Sequence, residues 1–392
     1  MSVQPRSTVP TRDLVAALTL RDLTDPAEGP HAVQLLLDDV VAALRSAWGC
    51  GVEVRRDHRL VGVEDNYDRL GYDPADVTRA ARYTRYVSET VMLRSHTSAG
   101  VPPALRALAR RPQPQLDDVL LVLPGLCYRR DAIDRIHVAT PHQLDLWRIS
   151  TARLGPDDLH EMVDRLVDAV LPGAVYEVTE VGHPYTVGGL QVDVRTRDGW
   201  VELAECGLAA PHVLAGAGLD PQRYSGLALG MGLDRAVMLR KGLPDVRLLR
   251  AGDPRIAAQM LDLSPWRPVS TLPPVRRDLS VVVTGPTDVE LLGDAVRSAL
   301  GSDADELEAL DVVASTSYGD LPAPVRERLG IAPGQQNVLL RLVLRPLERT
   351  LTDADANILR DRVYAAVHEG PVWEWAEDGR LKTGAVPADH QG

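Results

Sequence analysis

Not one of the 392 residues is phenylalanine, where ordinary usage would supply on the order of ten. Leucine, valine and tyrosine therefore have to carry the core. Cysteine is scarce as well: Cys50, Cys127 and Cys206 lie far apart, without C-x-x-C spacing and without a neighbouring histidine pair. That pattern predicts neither a disulfide framework nor a zinc site, and it suits a reducing cytoplasm. No apolar run reaches the length a bilayer crossing needs, and Met1 to Arg12 lacks the apolar core of a secretory leader. The expectation is a cytoplasmic protein with no membrane role. Positive charge is in the minority, at a net charge of −12, which argues against a sequence-independent coat on nucleic acid but leaves room for a local basic face.

What is present reads as two domains, since the chain is too long for one typical core. Val33, Leu36, Leu37, Val40, Val41 and Leu44 fall at helical spacing and predict an amphipathic helix from His31 to Trp48, with a strand at Gly51 after it. A short strand at 91–94 and a helix at 103–110 follow. Val119 to Pro124 is a continuous apolar run, as in a strand buried on both faces, and 142–147 alternates, so the two make an antiparallel hairpin. A helix at 156–171, strands at 175–181, 190–194 and 200–203, and a glycine-bearing strand at 226–232 complete an α+β arrangement, a mostly antiparallel sheet flanked by helices. Prolines around 264–268 mark a boundary. Beyond it a strand (277–283), a helix (289–300), two strands (309–316 and 337–344), a helix (353–367) and a closing strand near Val372 to Trp375 match a split βαβ sandwich. The predicted division is 1–264, 265–376 and a polar tail, 377–392.

The stretch Tyr224-Ser-Gly-Leu-Ala-Leu-Gly-Met-Gly-Leu-Asp-Arg235 organises the rest. Gly226, Gly230 and Gly232 line one side of a strand and admit a close approach of backbone or ligand. Arg235 follows in the first turn of a helix, where a guanidinium fork suits a polyphosphate. By itself the stretch reads equally as a glycine-rich turn with a solvated arginine.

Together with Leu93-Arg-Ser-His-Thr-Ser98, Tyr128-Arg-Arg-Asp131 and His142-Gln-Leu-Asp145, it resembles the class II aminoacyl-tRNA synthetases, and among them phenylalanyl-tRNA synthetase, from about residue 30 to about 376. The order of parts resembles the single-chain organellar form, a class II catalytic domain followed directly by a ferredoxin-like anticodon-binding domain. Arg345-Pro-Leu-Glu-Arg-Thr-Leu-Thr352 is similar to that domain's closing signature.

The resemblance implies ligation of phenylalanine to tRNA(Phe), with ATP and Mg²⁺, through an aminoacyl-adenylate. It gives Arg129 to the α-phosphate and Arg235 to the γ-phosphate as the catalytic pair, Asp131 to the adenine end, Glu202 to Mg²⁺, and Gly230 and Gly232 to the nucleotide floor. His96, Ser98, Gln143 and Asp145 would hold the amino acid's ammonium, and His183, Tyr185 and Ala228 its side chain. Arg276, Arg277, Arg345 and Arg349, with Arg341, are candidates for tRNA phosphates, although acidic neighbours are plentiful there. His183-Pro-Tyr185-Thr is closer to the archaeal and eukaryotic form than to the bacterial Phe-Pro-Phe, Val187-Gly-Gly189 replaces the usual Glu-Pro-Ser, and Glu205 stands where a small residue is usual. Leu227, Leu229, Leu248, Leu249 and Ile256 fall where many relatives carry phenylalanine. Two alternatives stay open: a paralogue that activates a ring-substituted phenylalanine analogue, and a non-catalytic RNA-binding protein on the same scaffold. The resemblance leaves monomer and homodimer equally open.

Overall fold

The computed structural model describes residues 8–79, 83–111, 117–129, 134–269, 272–346, 349–377 and 380–383. They fall into two compact units, Met1–Arg129 with Ala139–Arg267, and Arg130–Val138 with Pro268–Gly392.

The first unit runs α1 (Thr11–Thr19), α2 (Ala32–Trp48), β1 (Gly51–Val54), β2 (Leu60–Gly62), α3 (Val63–Asn66), β3 (Val91–Leu93), α4 (Val101–Ala109), β4 (Asp118–Leu126), β5 (His142–Ser150), α5 (Pro156–Val170), β6 (Tyr176–Glu180), β7 (Thr186–Thr196), β8 (Gly199–Ala209), α6 (Pro211–Gly216), β9 (Ser225–Gly232), α7 (Leu233–Lys241) and α8 (Pro254–Gln259). Seven strands form one sheet in the order β1-β4-β5-β9-β8-β7-β6. β1 runs parallel to β4, and every other neighbour is antiparallel. β4 is buried from Val119 to Leu126, which is why it reads as a continuous apolar run. α2 buries Val33, Leu36, Leu37, Val40 and Leu44 and packs on α5 and α7. On the other face of the sheet, α4 and α6 cover Leu121, Leu123, Trp147, Ile149 and Ala228. This is the α+β arrangement the sequence predicts, a mostly antiparallel sheet flanked by helices.

Most of the expected elements are present within a few residues of their predicted ends. β7 and β8 are longer than the strands predicted at 190–194 and 200–203. α1 falls in the stretch before His31, where no element was expected, and is tied down by Ala17, whose carbonyl accepts the Tyr128 hydroxyl at 2.7 Å.

The second unit contains β10 (Val275–Thr284), α9 (Val289–Leu300), β11 (Leu307–Ser317), α10 (Ala323–Leu329), β12 (Gln335–Leu344), α11 (Asp353–Val367), β13 (Glu374–Glu377) and β14 (Arg380–Thr383). Its sheet is antiparallel in the order β10-β12-β11. One face buries Val281, Leu340 and Leu342 with Val296 of α9 and Val363 of α11. The closing strand expected near Val372 to Trp375 does not join this sheet: β13 pairs with β14 in a hairpin of its own. The free edge of β10 is met earlier in the chain, where Val282 donates its N–H to His368 Nδ1 at 3.1 Å and accepts the Glu369 N–H at 2.8 Å. The tail expected from 377 thus begins inside the hairpin, and its last residues, 384–392, lie outside the described ones.

Candidate active site

Strand register assembles the site. Residues directly opposite each other on paired strands point to the same face. Gly230 of β9 stands opposite Asp145 on one side and Glu205 on the other. One step of two residues back, Ala228 stands opposite Trp147 and Gly207; one step forward, Gly232 stands opposite Gln143. The two inner glycines serve different ends. A Cβ on Gly226 would lie 2.9 Å from both the Arg148 carbonyl oxygen and Ile149 Cδ1, whereas a Cβ on Gly230 would meet nothing within 4 Å. Gly226 lets strands close on each other; Gly230 is the floor of an open slot with a carboxylate on either wall.

The end of the slot at Ala228 is aromatic. Tyr185 lies 6.3 Å from Trp147, 6.2 Å from Tyr72 and 5.4 Å from the His183 ring, centroid to centroid. Tyr72 stacks in turn on His96 at 5.8 Å and 23°. Burial holds the Tyr185 phenol well above its ordinary range, with the acidic neighbours Asp145 and Glu205 acting the same way, so it stays an O–H donor. Burial, reinforced by the Arg129 charge, pushes the His96 imidazole down to about 3, so it is neutral, and its buried Nδ1 has no partner among the described residues. Asp145 is almost wholly buried. Its carboxylate accepts the Thr97 hydroxyl at 2.6 Å and, weakly, the Trp147 indole N–H at 3.4 Å. Burial raises its pKa against those hydrogen bonds and one from Ser98. A carboxylate braced by hydroxyls makes an acceptor suited to an ammonium group, whereas neutral His96, whose Nε2 faces the Asn66 amide N–H at 3.4 Å, carries its proton on Nδ1 and offers a donor.

The other end is charged and open. Arg235, in the first turn of α7, donates from Nη1 to the Glu202 carbonyl at 3.0 Å and lies 3.4 Å from Glu202 Oε1. Strict alternation would put Glu202 and Glu205 on opposite faces of β8. A register shift prevents this: Val192 pairs with Ala204 but Asp193 pairs with Glu202, so β8 carries one extra residue, the buried Leu203. Both glutamates therefore face the slot. Glu205 accepts from His183 Nε2 at 2.9 Å. That bond first, and then the charges of His183, Arg129 and Arg235, hold its carboxyl below the usual range despite burial. Both arginines thus act electrostatically on one carboxylate, that of Glu205. Arg129 is exposed, and its backbone N–H is fixed on the Ala139 carbonyl at 3.1 Å. Asp131 lies outside the described residues.

In the second unit four of the candidate phosphate-binding arginines are engaged with acids. Arg277 pairs with Asp353, Arg341 with Asp278, Arg345 with Glu308 and Arg349 with Glu306; Arg276 is exposed. Among the described residues no group of three or more His, Cys, Asp or Glu side chains could hold a metal by itself, and no helix is long and apolar enough to cross a membrane. The three cysteines are buried and free.

Tyr72, Thr97 and Trp147 belong to the site although the sequence did not point to them. Trp147 was reachable, being two residues beyond Asp145 on an alternating strand and so on its face. Tyr72 comes from a loop-rich stretch whose only route to the site is tertiary.

The profile of the family described as "tRNA synthetases class II core domain (F)" matches residues 20–260. The phenylalanine–tRNA ligase alpha subunit of Prochlorococcus marinus (strain MIT 9313) is 33% identical over 246 residues, an overlap covering 61% of this chain and 69% of that subunit. The alpha subunit from Chlamydia caviae (strain ATCC VR-813 / DSM 19441 / 03DC25 / GPIC) is 30% identical over 256 residues, covering 61% of this chain and 72% of that subunit. Among solved structures, a pyrrolysyl tRNA synthetase from Desulfitobacterium hafniense aligns with a TM-score of 0.43 at 18% identity, over 61% of this chain and 77% of that one.

Proposed function

The chain belongs to the class II tRNA synthetase core-domain family, homologous to phenylalanine–tRNA ligase alpha subunits, and from that membership we propose that it activates phenylalanine with ATP and transfers it to tRNA(Phe). The observation that carries the proposal is the slot over Gly230, aromatic at one end and, at the other, lined by carboxylates on which Arg235 and Arg129 act. In the first step a carboxylate oxygen of the amino acid attacks the α-phosphorus of ATP, an aminoacyl-adenylate forms, and pyrophosphate leaves. Arg129 and Arg235 offset the charge that grows on the phosphoryl oxygens, while Asp145, Ser98 and Gln143 orient the ammonium and neutral His96 lies beside the amino acid as a donor. Alignment and fixed charge suffice for this step, so it requires neither a protein nucleophile nor a general base. In the second step the 2′-hydroxyl of the terminal adenosine attacks the carbonyl carbon and AMP leaves.

Mg²⁺ fits the donors present. It is usually held by one or two carboxylates together with substrate phosphates rather than by an all-protein cage, and Glu202, with Glu205 beside it on one face, offers that. When bound it would draw charge off the phosphates.

The second unit, outside the matched core, is read as a ferredoxin-like anticodon-binding domain, giving a single-chain, organellar-like enzyme that works in the cytoplasm. Its strand order, with β12 between β10 and β11 and two helices on one face, supports this reading. The ion-paired arginines argue that base stacking and edge contacts would outweigh phosphate contacts there.

A ring-substituted phenylalanine is the second reading, favoured by one observation: the His183–Glu205 pair puts a donor and an acceptor beside Tyr185. ATP–pyrophosphate exchange with phenylalanine and a panel of ring-hydroxylated analogues, with and without tRNA, tests both. Exchange with none of them would end the catalytic proposal, and preference for a hydroxylated ring would select the second reading.

A further inference from the structure

Two residues that face away from the slot each stand one position before a residue that faces it. His142 precedes Gln143, and Asp234 precedes Arg235. His142 is wholly buried and both of its ring nitrogens are engaged. The Leu23 N–H donates to Nε2 at 3.0 Å, so Nε2 carries no proton and Nδ1–H donates to Asp234 Oδ1 at 2.7 Å. The second oxygen of Asp234 accepts the backbone N–H of His142 at 2.9 Å. Arg250 braces the approach to β5 from outside, donating to the Thr140 carbonyl at 2.7 Å.

This two-point clamp stands just past the last rung of the sheet. Gln143 is still paired with Gly232 in strand register. One residue further, β9 has turned into α7, and the helix no longer offers a strand's backbone acceptor to the start of β5. The Asp234 carboxylate takes over that function, and the imidazole fills its remaining lone-pair demand while reaching back to the 22–24 turn. These two hydrogen bonds tie the first turn of α7, and with it the backbone of Arg235, to the start of β5 beside Gln143. Buried charge-assisted bonds of this kind are strong and tolerate little displacement.

We propose that the His142–Asp234 clamp is a positioning device that couples the two ends of the slot, so that a nucleotide gripped by Arg235 raises the affinity for the amino acid held by Gln143, and the reverse. The inference rests on the assignment of those ends to ATP and an amino acid given above. Reciprocity is a thermodynamic requirement, so the factor by which one ligand tightens the other is a single measurable number.

The test is titration calorimetry on the full chain with L-phenylalanine, alone and in the presence of saturating α,β-methylene-ATP. In the unmodified protein the analogue should tighten phenylalanine at least about fivefold, the lower end of ordinary coupling. His142→Ala should bring that factor below about twofold with each ligand alone bound nearly as before. His142→Asn, whose amide can still donate to Asp234, should restore most of it, a rescue that a merely structural role would not give. A coupling factor of one in the unmodified protein overturns the proposal whatever the variants do. So does a folded His142→Ala with full coupling, or a His142→Asn that couples no better than the alanine variant. Should His142→Ala not fold, the unmodified protein and His142→Asn decide. Binding of neither ligand to the unmodified protein would instead sink the functional assignment beneath it.

Discussion

Glycines four residues apart on β9 have opposite reasons to be glycine, and substitution separates them. At Gly230 a methyl group enters open space, and replacing a strand glycine removes an entropic penalty. Gly230→Ala should therefore leave the thermal midpoint unchanged or slightly raised while increasing KM for ATP or the amino acid about tenfold, one tenfold step being about 1.4 kcal/mol; steady-state exchange kinetics beside a melting curve would check it. Gly226→Ala forces a methyl group against a backbone oxygen and a core side chain and should cost about 1–3 kcal/mol of stability, read by denaturant titration. Arg235→Ala should lower the pyrophosphate-exchange rate by roughly 10²–10³, the usual loss when one donor to developing charge is removed. At this scale the glycines and Arg235 were legible because backbone sterics and a permanent charge are local properties. The aromatic enclosure was not: Tyr72 reaches Tyr185 and His96 only through the fold.

Elements were legible wherever burial imposed a period and illegible wherever pairing decided the outcome. The stripe on α2 and the apolar run of β4 announced themselves. The segment at 372–375 looks like a strand and contains one, but no alternation says that its partner is β14 rather than the edge of β10. The extra residue in β8 is invisible to alternation for the same reason, and it reverses the face on which Glu202 is expected; deleting Leu203 should abolish exchange far more than it lowers stability. The start of α2 carries a further dependence. His31 caps it with Nδ1 accepting from Val33 N–H at 3.2 Å and Nε2–H donating to the Leu249 carbonyl at 3.0 Å. Burial pushes its pKa down to about 4. The unfolded chain takes up this proton near pH 6.5 and the folded one only near 4, so this contribution is intact above 6.5 and lost as the pH falls between the two values, by up to about 3 kcal/mol. His31→Asn, which keeps a cap without the titration, should flatten the acid limb of the stability curve by about one proton.

The described residues fall into two units, one with a core against the synthetase sheet and one with a core between β10–β12 and their helices. If the second unit serves only to hold tRNA, a chain ending at Arg267 should keep amino-acid-dependent exchange and lose aminoacylation of tRNA(Phe); loss of both would assign the second unit to the first step as well. Both cores are built without a single phenylalanyl ring. Leu227, Leu229, Leu248, Leu249 and Ile256, which the resemblance sets at positions expected to favour that ring, are all buried, so branched aliphatic side chains fill the core there. The stretch of message that encodes these 392 residues then holds no codon for the residue the chain is proposed to supply. If that proposal holds, a shortage of the charged tRNA would leave a ribosome free to read this stretch without pausing.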